Sequence, residues 1–167
     1  GVTVNVGSID GGSAVNIVPD LAIVRFGARA PDSDSADWAM IEIRRLFDRA
    51  IARDGISGHF HGGFYRPPKP RNMAQEALFD AVQKTGQAIG LDLEFSDTGG
   101  VCEGNNIFAA GVPNVDTLGV RGGRIHSNEE YVLTESFTER ATLSALILNR
   151  LADGRMDAKR IKSLMGQ

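Results

Sequence analysis

The sequence predicts two units of different fold class: α+β with an antiparallel sheet over residues 1–66, and α/β over residues 67–167. Three observations carry this. Apolar residues alternate at period two near the start, prolines interrupt the chain at residues 67–70, and helix and strand patterns alternate beyond that interruption. The period of two marks half-buried strands, and alternation of helix with strand is the rhythm of an α/β layer.

In the first unit, Val2, Val4 and Val6 share a strand face, Asp10-Gly11-Gly12 turns the chain, and the extended stretch through Val15, Ile17 and Val18 leads to a return arm over residues 21–29. This predicts a β-hairpin with long arms. Residues 31–35 supply a helix start, with Trp38, Ile41, Leu46, Ala50 and Ile51 recurring near helical spacing before Asp54-Gly55. Residues 56–65 alternate again and predict a strand. Arg66-Pro67-Pro68-Lys69-Pro70 follows, which can be neither helix nor central strand and is the expected domain boundary.

In the second unit, Asn72 with Gln75 resembles a capping box, and Ala77, Leu78, Ala81, Val82, Ala88 and Ile89 mark a helix closed by Gly90. Residues 91–95 read as a short strand. A glycine-bearing loop over residues 98–106, a short helix ending at Gly111 and a buried strand over residues 115–120 come next. A loop with His126 precedes a final helix that Thr134 would cap, with Phe137, Ala141, Ala145, Leu148 and Leu151 as its apolar stripe. The polar, basic tail from Asp153 is expected to fray.

Composition narrows the function. Eighteen basic and 21 acidic side chains give a net charge of −3, without the basic face of a nucleic-acid protein. No apolar run is long enough for a membrane span. One cysteine, Cys102, excludes an internal disulfide framework and any multi-cysteine zinc site. Glycine is the outlier at 20 of 167 residues, about 12% against a usual 7%. It is paired at positions 11–12, 62–63, 99–100 and 122–123, where tight turns and close approach of a ligand are both served.

Several residues suit chemistry, each with a plainer reading beside it. His59 and His61 alternate on one face, as a solvent-facing pair or as two imidazoles for a metal. His126 lies between a buried strand and a helix, where α/β proteins place ligands, and equally fits a loop histidine bonded to backbone. The Gly99-Gly100 loop exposes amides suited to a carboxylate; it lacks a P-loop ending and dinucleotide spacing. Arg29 and Arg66 end strands and fit bidentate carboxylate recognition or ordinary surface charge. Cys102 reads as a structural thiol rather than a nucleophile, while Glu103, Glu129 and Glu130 suit a base, a ligand or a helix-start charge.

Four segments in order resemble the dinuclear zinc amidohydrolases and exopeptidases that include glutamate carboxypeptidase, acetylornithine deacetylase and succinyl-diaminopimelate desuccinylase. Residues 13–20 with 24–29 resemble the inserted lid or dimerisation domain, and Arg66-Pro67-Pro68 the return to the catalytic domain. Residues 98–105 resemble the family's Gly-Gly loop, with Glu103 where aspartate is usual. Gly122-Gly123-Arg124-Ile125-His126-Ser127, followed by Glu129-Glu130-Tyr131, resembles the final metal-ligand segment.

The resemblance implies a partial ferredoxin-like lid joined to the C-terminal part of an α/β zinc-peptidase catalytic domain. It implies His126 as a zinc ligand, Arg66, Gly99 and Gly100 as holders of the substrate carboxylate, and Asn16 and Arg29 as lid residues closing over it. Two zinc ions per site, with cobalt or another divalent metal as substitutes, a small substrate bearing a carboxylate and a homodimer through the lid follow from it. A cytoplasmic setting is a separate expectation. No nucleic acid or membrane is expected as partner.

The family's members are more than twice as long, and their general base and other metal ligands lie upstream of the matched segments. The chain begins with Gly1 rather than Met. The expectation is thus a fragment of a metallopeptidase or deacylase, with no catalytic residue of its own, weak zinc binding and no amidase activity alone. Two alternatives stand beside it: a free-standing dimerisation or carboxylate-binding module, and a small mononuclear zinc enzyme built from His59, His61 and His126.

Overall fold

The computed structural model describes residues 1–166, which form a mixed α/β chain with two small antiparallel sheets and five helices among the described residues. Two compact units divide between Pro70 and Arg71, at the end of the proline-rich run. No helix among the described residues is long and apolar enough to cross a membrane.

The first unit opens with a hairpin of β1 (Thr3–Gly11) and β2 (Ala22–Arg29). Its register explains the spacing of apolar residues. Val4 opposes Ala28 and Val6 opposes Phe26; a bulge then inserts Gly7, so that Ile9, three residues after Val6, opposes Val24 on the same face. Without the extra residue Ile9 would point with the polar set. The other face carries Ser8 and Asp10, both bonded by the Arg25 guanidinium. The hairpin is therefore amphipathic, and its apolar face is open: Ile9 is 72% and Phe26 39% exposed.

Helix α1 (Ser33–Ile51) starts at Asp32, whose carboxylate accepts the Ser35 N–H at 2.7 Å. Its buried residues are Ala36 and Ala39, whereas Trp38, Ile41 and Leu46 of the expected stripe are exposed. Phe47 lies against Phe60 with ring centroids 5.8 Å apart, and Arg44 covers the same ring. Residues 56–65, expected as a strand, pair with none among the described residues. Alternation prepares a segment for a sheet, but a strand exists only where a neighbour accepts its hydrogen bonds.

The Asp32 cap carries a pH dependence. The Ser35 N–H bond holds its carboxyl below the ordinary aspartate range. A depressed folded-state pKa gives stability that is present above the unfolded value, roughly 3.9, and lost as pH falls through the folded one. The Ser35 amide resonance should accordingly titrate with a midpoint below roughly pH 3.9, and Asp32→Asn should abolish that titration. A midpoint at or above the ordinary value would remove the cap from the account.

The second unit is built around α2 (Met73–Gln87), α4 (Ser136–Ala152) and α5 (Ala158–Ser163). Val82, Leu93, Leu143, Met156 and Ile161 form its core, with Leu78, Ala81, Ile89 and Phe95 packed around them. Asn72 caps α2 by accepting the Gln75 N–H at 2.9 Å, and Gly90 leaves the helix with φ +76°. Residues 91–95 and 115–120, expected as strands, form no ladder among the described residues. Side chains hold the first of them instead: Gln83 donates to Leu93 O at 2.7 Å, Arg71 donates to Phe95 O at 3.1 Å, and Phe79 stacks on Phe95 at 4.2 Å. Arg71 also bonds Asp97, which raises the guanidinium's pKa further.

The C-terminal half corrects three further expectations. Helix α4 begins after Glu135 without a side-chain cap, so Thr134 does not cap it; Thr134 offers only its carbonyl, to Phe137 N–H. Its fully buried residues are Ser136 and Leu143, and the expected stripe is turned out, with Leu148 67% exposed. The helix is apolar on two sides, so spacing alone selects neither. The tail, expected to fray, forms α5. Asp157 caps it through the Arg160 N–H at 2.9 Å, and Met156 and Ile161 enter the core.

Candidate functional site

His126 sits at the end of a hairpin formed by β3 (Gly122–Gly123) and β4 (Tyr131–Val132). At Gly122, proximity to backbone demands glycine. A Cβ on Gly122 would run into the Tyr131 carbonyl, and one on Gly123 would lie 2.9 Å from the Tyr131 hydroxyl. The hairpin's root is fixed to α4: the buried Ser136 hydroxyl accepts the Arg121 N–H at 2.9 Å and donates to Leu133 O. Arg121 also pairs with Glu139 at 3.2 Å.

The loop between the strands is drawn tight by its own polar groups. Ser127 Oγ donates to Arg124 O at 2.7 Å and accepts the Glu129 N–H at 3.2 Å, and Arg124 forms an ion pair with Glu129. Glu130 accepts the His126 backbone N–H at 3.4 Å. Arg124 and His126 are thereby held at φ +56° and +67°, a conformation that non-glycine residues seldom adopt. Such residues persist where their surroundings over-determine them and concentrate at functional sites. The His126 residue is exposed at the loop's surface.

The second glycine loop leads into α3 (Glu103–Ala109). Gly100 N–H donates to Thr98 Oγ1 at 3.2 Å, so this amide is engaged within the loop. Cys102 is the N-cap: its sulfur accepts the Gly104 N–H at 3.3 Å, and its own N–H donates to Asn105 Oδ1 at 3.1 Å. A capping thiol fits the structural reading of this cysteine. Glu103 occupies the first helical turn, where a carboxylate complements the dipole. Glu129 and Glu130 serve the His126 loop instead of a helix start.

The remaining candidates belong to the first unit. Asn16 is exposed between β1 and β2, Arg29 ends β2 opposite Thr3, and Arg66 begins the proline run. His59 and His61 are exposed on either side of Phe60. Among the described residues, no three His, Cys, Asp or Glu side chains come together to hold a metal ion. His59 and His61 lie in the first unit and His126 in the second. The sequence reading missed Asn114, which follows Pro113 without a motif, and gave Gln75 a capping role only.

Comparison with known proteins bears on the first unit. Residues 1–55 match the peptidase dimerisation domain. The hairpin and α1 lie within that match, so the first unit resembles the lid or dimerisation domain of a peptidase family. The chain is also similar to the uncharacterized protein YqjE of Bacillus subtilis (strain 168), with 24% identity over 150 residues. That similarity takes in 90% of this chain and 40% of YqjE, so the chain spans less than half of that relative's length. No solved structure matches the chain.

Proposed function

We propose that this chain is the dimerisation domain and the C-terminal part of the catalytic domain of a zinc-dependent metallohydrolase. It would cleave an amide beside a carboxylate-bearing amino acid, in the manner of a carboxypeptidase or deacylase. The observation that carries this reading is the match of residues 1–55 to a peptidase dimerisation domain, in a chain that covers 40% of a longer relative.

The donor set of this chain falls short of a metal shell, since zinc sites take three or four protein ligands and no such group occurs among the described residues. His126 would contribute one imidazole, presented on a loop whose backbone is fixed by Arg124, Ser127 and Glu130. The other ligands and the general base would come from the rest of a longer protein. Arg66 and the Gly99-Gly100 loop would hold the substrate carboxylate, Arg through a planar bidentate fork and glycine by admitting close approach. Asn16 and Arg29 would close over the substrate. The open apolar face of Val4, Val6, Ile9, Val24 and Phe26 supports self-association through the first unit, because contiguous exposed apolar surface marks an interaction site.

The test compares the protein encoded by the whole reading frame with the 1–167 chain. The longer protein should sediment as a dimer, retain zinc through dialysis and hydrolyse N-acyl amino acids; the 1–167 chain should do neither of the last two. His126→Ala in the longer protein should cost more than the roughly 100-fold that loss of an outer-sphere partner costs. Hydrolysis that survives His126→Ala, or a longer protein without metal and activity, would overturn the proposal.

A further inference from the structure

Beneath the glycine loop lies a polar network that the reaction scheme above does not use. Gln75, in the first turn of α2, is 1% exposed. Its side-chain amide pairs with the backbone of Asn114 in both directions: Nε2 donates to Asn114 O at 3.0 Å, and Oε1 accepts the Asn114 N–H at 2.9 Å. A side chain thus does for Asn114 what a neighbouring strand would do, supplying both a donor and an acceptor. No strand forms over residues 115–120, so this pairing fixes the segment's entry.

Asn114 passes the constraint on. Its Nδ2 donates to Gly104 O and to Val112 O, each at 3.0 Å. The fit at Gly104 is tight: a Cβ there would lie 2.6 Å from Asn114 Oδ1 and would overlap the Asp116 carboxylate. Gly104 N–H is bonded to Cys102 Sγ, and Cys102 is two residues beyond Gly100. A displacement of Asn114 therefore has to move Gly104, and with it the end of the glycine loop.

We propose that Gln75 is a positioning residue for the Thr98–Asn105 loop, acting through Asn114 and Gly104. This rests on the reading that the Gly99-Gly100 loop holds a carboxylate. The position rather than the chemistry of the loop is what Gln75 sets. Two substitutions separate the role from general stability. Gln75→Met keeps the volume and removes both bonds to the Asn114 backbone. Gln75→Glu keeps the acceptor but sets a carboxylate oxygen against Asn114 O. Burial raises the introduced carboxyl's pKa, so acidification returns a donor and restores both bonds.

The test is amide exchange in the 1–167 chain by NMR, each variant being compared with the unsubstituted chain at the same pH. Gln75→Met should speed exchange at Gly104 and Asn105 by roughly 10-fold or more, and at the α4 amides by much less. Gln75→Glu should do the same near pH 8 and recover near pH 5. No change at Gly104 and Asn105, or an equal change throughout the second unit, would overturn the proposal, as would a Gln75→Glu defect that acid does not relieve. Titration with N-acetylglycine, read at Gly99 and Gly100, separates the two readings. Shifts that weaken in Gln75→Met support both. An absence of shifts, with the exchange pattern as expected, removes the carboxylate site and leaves the positioning role standing.

Discussion

Leu143→Ala should destabilise the second unit by about 2–5 kcal/mol, the usual cost of emptying a fully buried leucine site. Leu143 is 0% exposed and touches a core whose other buried members are Val82, Leu93, Met156 and Ile161. The substitution removes three carbons, worth about 0.8 kcal/mol each in transfer, and adds the cost of whatever cavity remains. A domain's whole stability is about 5–15 kcal/mol, so this loss is a large share of it. The control is Leu148→Ala. Leu148 is 67% exposed, and truncating it should stay within about 0.5 kcal/mol of the unsubstituted chain. Urea unfolding followed by circular dichroism measures both. If Leu148→Ala proves the costlier change, α4 presents its other apolar side to the core.

Gly122→Ala should open the hairpin that carries His126. The added Cβ would meet the Tyr131 carbonyl, which is backbone and cannot rotate away; relief requires β3 and β4 to separate. Overpacking of this kind costs about 1–3 kcal/mol. The ladder has two residue pairs, so little resists that force. The reporter is the Leu133 amide, which donates to Arg121 O at 2.8 Å beside the ladder. Its exchange should accelerate by about 10-fold for each 1.4 kcal/mol. Gly119→Ala, which meets nothing within 4 Å, should leave it unchanged. Protection of Leu133 that survives Gly122→Ala would show that the loop does not depend on glycine at this position.

The sequence made helices more legible than strands, for a physical reason. A helix satisfies its backbone within itself, so Asn72, Gly90 and Gly111 mark ends that the structure reproduces. A strand is a property of two segments. Residues 56–65, 91–95 and 115–120 have the right alternation or apolar content and find no ladder partner among the described residues. The β1 and β2 arms were legible because each is the other's partner, although the bulge at Gly7 had to be seen to explain Ile9. Helix faces failed in α4, which is apolar on two sides, and in α1, where the expected Trp38 and Ile41 lie across the helix from the buried Ala36. At the candidate site, the glycine pairs and His126 were visible as residue types. The left-handed backbone of Arg124 and His126 arises from side-chain bonds within its own loop, which residue types alone do not announce, and the Gln75 bridge to Asn114 joins residues that no local spacing connects.

The docking of α5 bears on the order in which the molecule assembles. The β1 and β2 arms are near neighbours along the chain and can pair as soon as both exist, at a small loop-closure cost. The second core joins Val82 to Met156 and Ile161, so α2 keeps an apolar face uncovered until Ile161 has been synthesised. The final helix is short and basic on its surface, yet it sets the moment at which that face closes. Translation that stops before Met156 leaves α2 and α4 without their closing helix, a species exposed to aggregation for want of a few residues.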